Sequence, residues 1–193
     1  SSAASDVYKR QRKCYAMNRY NLQNHLEGEL APFRSSLKAT SFDDSNHEHL
    51  CNDESLPDVY DFDEYVRTHH PHPTPASPDA IHIGKKNFYF IEFKNQAVGD
   101  VDKEQMKRKF YDGTNILKDL LQDFSPRDNE YSFCVVLKKQ PPPRFMNARH
   151  IEDTSLSFKI KEWNQELANF YDHIVVESVD FYARKFKSLR CNS

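Results

Sequence analysis

The sequence predicts an α/β domain, a central mixed sheet flanked by helices, and three observations carry that expectation. Runs with the period of two that marks strands alternate along the chain with runs of helical period. The 14 Phe and 10 Tyr supply enough bulk for a packed core in 193 residues. Only 4 Gly are present, which argues against a repetitive or low-complexity chain. The length fits one domain over 1–193, with 1–5 expected to be disordered and 34–76 an irregular polar region. A formal net charge of −2 excludes a broad basic field, so any nucleic acid must be held in one local groove. No apolar run is long enough to span a bilayer, and no membrane partner is expected.

The first element is a helix over 6–31. Tyr8, Tyr15, Leu22, Leu26 and Phe33 share one face of its wheel, and Pro32 ends or kinks it. Glu29 falls at the edge of that apolar arc and Glu27 points well away. The basic run 8–13 reads as a solvated face that could touch phosphates. Between 34 and 76 the chain is acidic and then proline-punctuated, and "VYDFDEYVRT" reads as a short helix or an edge element. His69, His70 and His72 cluster here; a metal-ligand role and plain solvent exposure are the two readings.

"DAIHIG" and "NFYFIEFKN" are two strand-like runs joined by "GKK", the signature of a hairpin. A helix follows over 101–124, with Met106, Phe110, Leu117, Leu120, Leu121 and Phe124 on the face that meets the sheet. "EYSFCVVLKK" is a third strand whose continuous apolar centre suits a buried position, with Cys134 a buried thiol. After "PPP" the stretch "RFMNARHIEDTSLS" is expected to be loop. Then come a helix from Phe158 to Tyr171 with Trp163 in the core, a strand "HIVVESV", and a closing helix "DFYARKFKSL".

The hairpin raises the chemical question, because Asp79, Glu92 and Lys94 are costly to desolvate and sit among apolar residues. Alternation puts Phe88, Phe90, Glu92 and Lys94 on one side of the second strand, and Tyr89, Ile91 and Phe93 on the other. A turn at Gly84 to Asn87 brings Asp79 back beside Glu92 and Lys94. Two adjacent carboxylates repel, and a hard divalent cation, Mg²⁺ or Mn²⁺, relieves that repulsion. The backbone carbonyl of Phe93 could add a ligand, and Lys94 would orient or help deprotonate an attacking water. The plainer alternative is an ion pair of Glu92 with Lys94 at a sheet edge, with Asp79 capping a loop.

Pro78-Asp79, then Glu92 thirteen residues on, then one residue to Lys94, followed by an amphipathic helix, resembles the PD-(D/E)xK nuclease superfamily. The resemblance covers about residues 6 to 140. It implies a restriction-endonuclease-like core in which Asp79 and Glu92 bind metal and Lys94 orients water. It also implies an acidic residue on the first helix, for which Glu29 is the match, and a polar residue on the helix after the motif. "DKEQMKRKFYDG" supplies Gln105, Lys107 and Lys109 there. A second Pro-Asp pair, Pro57-Asp58, lacks strand character around it.

The expected function is therefore a metal-dependent endonuclease, with DNA favoured over RNA because most members cut DNA. RNA, transfer RNA included, stays open, as does an inert binding module of the same fold. Lys85 and Lys86 in the turn, Lys107 on the helix, and Arg144 and Arg149 after "PPP" are candidate phosphate contacts. His82 reads as a packed histidine. The four cysteines form no CxxC pair, so action in a reducing cytoplasm is expected. The chain starts without Met, as a C-terminal toxin domain of a larger secreted protein would, and such a toxin needs an inhibitory immunity protein. A restriction, repair or mobile-element enzyme fits the same residues.

Overall fold

The structure is a computed structural model, and it describes residues 21–52, 59–124, 128–139 and 148–185. The elements run α1 (Leu22–Leu30), β1 (Arg34–Ser35), α2 (Leu37–Thr40), β2 (Phe42–Asp43), β3 (Glu48–His49), β4 (Val59–Asp61) and α3 (Phe62–His69). They continue with β5 (Ala80–Ile83), β6 (Asn87–Lys94), α4 (Lys103–Leu120), β7 (Glu130–Leu137), α5 (Ala148–Glu166), β8 (His173–Ser178) and α6 (Val179–Lys185). Six strands form one sheet in the order β1-β4-β5-β6-β7-β8, and β2 with β3 makes a separate hairpin. Neighbours from β1 to β6 are antiparallel, and β6, β7 and β8 are parallel. The molecule is thus α/β with a mixed sheet. Among the described residues no helix is long and apolar enough to cross a membrane.

The two faces of the sheet are covered unequally. α1, α3, α4 and α5 cover one face, where Phe88 and Phe90 of β6 meet Phe62, Phe110 and Phe133. The other face, carrying Ala80, Tyr89, Ile91, Cys134 and Val136, packs on Leu37 and on Val179 and Tyr182 of α6. The alternation read along β6 is therefore the division between two cores. α4 starts where the Asp102 carboxylate accepts the backbone N–H groups of Glu104 (2.9 Å) and Gln105 (3.0 Å). It buries Met106, Phe110, Thr114 and Leu117, an amphipathic stripe, against the sheet. Trp163 and Cys134 are buried as expected.

Three expectations need correction. Residues 34–76 are not irregular throughout: within the described part lie β1, α2, the β2–β3 hairpin, β4 and α3. "VYDFDEYVRT" holds a helix but no edge element, because β4 pairs with both β1 and β5, and Asp61 ends it and caps α3, accepting the Glu64 N–H at 2.8 Å. The stretch after "PPP" is not loop to residue 157, since α5 begins at Ala148. Leu156, Ile160 and Trp163 recur at helical spacing and are buried, which overrides the weak helix preference of Ser157 between them. Residues 6–20 of the expected first helix, the basic run 8–13 and Pro57-Asp58 lie outside the described residues.

Candidate active site

The hairpin folds as its turn requires. Gly84 N–H donates to the Asn87 carbonyl at 2.8 Å, and the strands pair Ala80 with Ile91 and Ile83 with Phe88. Carrying that register one residue further sets Asp79 opposite Glu92. Glu92, whose side chain is 0 % exposed, lies on the face covered by α4, while Lys94 (12 %) emerges at the strand end. One Asp79 oxygen, Oδ2, accepts the backbone N–H of Phe93 at 2.6 Å. In a strand the N–H and C=O of one residue point to the same edge, so the Phe93 carbonyl also faces the Asp79 side.

Between the two carboxylates stands Lys109 of α4. Its Nζ lies 2.9 Å from Asp79 Oδ1, 2.9 Å from Glu92 Oε1 and 3.0 Å from Glu92 Oε2. Lys94 Nζ lies 3.0 Å from Glu92 Oε1 and donates to Gln105 Oε1 at 3.2 Å. Two acids and two lysines from β6, α4 and the loop before β5 therefore form one network. Glu92 Oε1 is close to both ammonium groups but aligned with neither, and it is the buried oxygen left without a directed hydrogen bond. Burial first, and then the Glu92 carboxylate, push the Asp79 pKa up to about 7 against the pull of Lys109 and the Phe93 N–H. Lys109 is pushed upward; its burial opposes this, but the pull of Glu92 and Asp79 together prevails.

A glycine sets the spacing. A Cβ on Gly113 would come within 2.4 Å of Pro78 Cδ, so α4 can lie directly on the Pro78-Asp79 segment only because no side chain intervenes. Lys109 is one turn before Gly113, and that close approach delivers its ammonium to Asp79. Asp112 of the same helix accepts the Ala76 N–H at 3.1 Å and fixes the same loop.

The network opens on a cavity of about 440 Å³ walled by Asp79, Phe93, Lys94, Gln105 and Lys109, with the turn at 43–46 of the β2–β3 hairpin opposite. Asp43 in that turn accepts the Ser45 N–H (2.9 Å) and Asn46 Nδ2 (2.6 Å), which uses it structurally. Glu48 ties the hairpin down through Lys138 (3.2 Å) and Asn95 (3.4 Å).

Asp79, Glu92, Phe93, Lys94 and Gln105 come together as expected; several other candidates do not. Glu29 is exposed on α1 and does not line the cavity. The buried Leu22, Leu26 and Leu30 step by four residues, so the packing direction drifts by about 40° per step. At Leu30, Glu29 is about 100° off that direction and Glu27 only about 60°. Glu27 is the acid that packs, accepting the Tyr60 hydroxyl at 2.6 Å and pairing with Arg34. The Tyr60 hydrogen bond and then Arg34 hold its carboxyl below the usual range.

Lys107 lies over the Tyr111 ring at 5.8 Å, and Tyr111 bonds Glu166 of α5, so Lys107 faces away from the cavity. Lys85 and Lys86 are exposed at the opposite end of β6, about 20 Å from Glu92. Arg144 lies outside the described residues, as does the side chain of Arg149 in α5. His82 is half-buried and stacks on Tyr89 at 5.7 Å, whereas His69 stacks on Tyr65 at 4.4 Å but is exposed, as are His70 and His72.

Lys109 was read from the sequence only as one of the polar residues on the helix after the motif, and its place between the two acids was not foreseen. Its signal was present: it follows Gln105 by four residues, so the two share a helix face. Among the described residues no three His, Cys, Asp or Glu side chains converge as metal ligands. Comparison with known proteins finds no family model, no curated protein and no solved structure that matches the chain.

Proposed function

We propose that the protein is a metal-dependent endonuclease of the PD-(D/E)xK type, with a restriction-endonuclease-like core and DNA as the favoured substrate. The observation that carries the reading is the meeting of Asp79, Glu92 and Lys94, with Asp79 and Lys94 on the cavity wall and Glu92 buried behind them, its Oε1 lacking a directed hydrogen bond. Two carboxylates and a strand carbonyl suit Mg²⁺ or Mn²⁺, which takes one or two protein carboxylates and fills its remaining positions with water and phosphate oxygens. Asp79, Glu92 and the Phe93 carbonyl would hold the ion. When bound, it lowers the pKa of water and offsets the charge that builds on the phosphate.

The chain's own groups do the positioning. Lys94 is fixed by Glu92 and Gln105 at the cavity wall, where its ammonium can orient a water for in-line attack. The Phe93 N–H holds Asp79 so that its other oxygen faces the cation position. The β2–β3 hairpin bounds the space on the far side and keeps the substrate in one groove.

Incubation with plasmid, single-stranded DNA, total RNA and transfer RNA, with Mg²⁺ or Mn²⁺ and an EDTA control, tests this. Cleavage is expected on DNA, falling by at least about 100-fold in Asp79→Ala and in Lys94→Ala. Cleavage of RNA alone would keep the chemistry and change the substrate. A second reading, an inert binding module, has one observation in its favour: Lys109 already neutralises both carboxylates. Nucleic-acid binding without cutting in any metal would establish that reading and end the first.

A further inference from the structure

Lys109 stands where the proposed chemistry needs a different cation. A divalent ion bound at about 2.1 Å to Asp79 Oδ1 or Glu92 Oε1 could be no more than about 5 Å from Lys109 Nζ, given the 2.9 Å contacts that nitrogen makes with both oxygens. Two like charges that close in a largely buried site repel strongly. Lys109 bridges both carboxylates, the position an ion shared by them would take, whereas Lys94 contacts Glu92 alone of the two.

We propose that Lys109 is an internal counter-ion that occupies the carboxylate pair in the metal-free protein and is exchanged out when a divalent cation enters. The inference rests on the reading of Asp79 and Glu92 as metal ligands. Three observations support the exchange. Lys109 neutralises charges that would otherwise repel across the hairpin. It borders the cavity and is 17 % exposed, so its long flexible stem has open space to move into. Lys94 stays held by Gln105 when Lys109 leaves, so the water-orienting group need not move with it. Once displaced, the Lys109 ammonium faces the space a phosphate would enter.

Exchange has a thermodynamic signature. Metal must displace a bound cation, so its affinity is lower than the carboxylates alone would give. A polyanion that captures the released ammonium raises metal affinity, and metal raises polyanion affinity by the same factor. Lysine thus links cofactor loading to substrate arrival.

Mn²⁺ binding to the full chain, measured by calorimetry without nucleic acid, tests this. Lys109→Met and Lys109→Gln are expected to bind Mn²⁺ more tightly than the unaltered protein by about 10-fold or more, the range of ordinary site coupling. Lys109→Arg retains the charge and is expected to show no such gain. Circular dichroism melts check that each variant folds. Should the neutral variants not fold, NMR of the lysine ammonium groups in the unaltered protein gives the same information. A protected, hydrogen-bonded ammonium signal is expected in EDTA and is lost as Mg²⁺ is added. Equal or weaker Mn²⁺ binding in folded neutral variants, or an ammonium signal that persists at saturating Mg²⁺, overturns the exchange and leaves the metal site standing. Absence of Mn²⁺ binding in every form overturns the exchange and the metal site together.

Discussion

The two ends of the β5–β6 hairpin carry the same residue types in opposite circumstances. At the turn, Lys86 is 64 % exposed, and its nearest acid, Asp128, is 3.8 Å away and 85 % exposed. At the other end, Lys94 and Lys109 meet a Glu92 that no solvent reaches, at 2.9–3.0 Å. An exposed pair gains little, because water solvates the separated charges almost as well. The buried cluster has no such alternative, so removing any one member strands the rest. Lysines alone do not mark a site; it is lysines held against buried acids that do.

The largest expected contrast is between acids and lysines at those two ends. Glu92→Gln, which leaves Lys94 and Lys109 short of their shared partner, is expected to lower stability in EDTA by about 3–5 kcal/mol in urea unfolding. Lys86→Ala is expected to change it by less than about 0.5 kcal/mol. A Glu92→Gln loss below about 1 kcal/mol would mean that the cluster is solvated in solution and the contrast between the ends is false.

pH sharpens the same contrast. The raised pKa of Asp79 means that the folded protein binds that proton more tightly than the unfolded chain, whose carboxyl titrates near 3.8. Its contribution to stability is full below that value and is lost as pH rises toward about 7. Lys109, shifted upward from 10.5, contributes at every pH below that value and so adds no slope in this window. Asp79→Asn removes the titrating group. Its melting temperature in EDTA, relative to the unaltered protein, is expected to improve steadily between pH 4.5 and pH 7.5, as the shift to about 7 requires. A flat difference would show that Asp79 ionises as a solvated carboxyl does.

Gly113→Ala probes how the buried end is built. The new Cβ would meet Pro78 Cδ at 2.4 Å, so α4 or the Pro78 segment must shift. Overpacking of this kind costs about 1–3 kcal/mol, set against a helix-propensity gain of about 1 kcal/mol. The net loss is about 0–2 kcal/mol, but cleavage should fall with it, since a shift of Pro78 moves the neighbouring Asp79 away from Glu92. Full activity in Gly113→Ala would remove the close approach from the design of the site.

The hairpin, its register and the facing of its side chains were legible from residues alone. A tight turn and the two-residue period of a strand are local rules, and they put Asp79 opposite Glu92 without reference to the rest of the fold. Helix faces were legible too where an apolar stripe was continuous, as in α4. Between 34 and 76 the signals were weak, because strands of two or three residues carry too few side chains to show a period. Glu29 went astray because the buried stripe of α1 drifts around the helix, and a wheel averaged over its length hides the drift.

The sequence by itself determined which acids meet, since chain connectivity and strand alternation leave them little choice. Only the tertiary structure decided what stands between them. Lys109 is one of several lysines on α4, and sharing a helix face with Gln105 does not by itself say what it reaches. It reaches Asp79 and Glu92 because a helix without a side chain at Gly113 lies against Pro78, a contact between segments 35 residues apart in the chain.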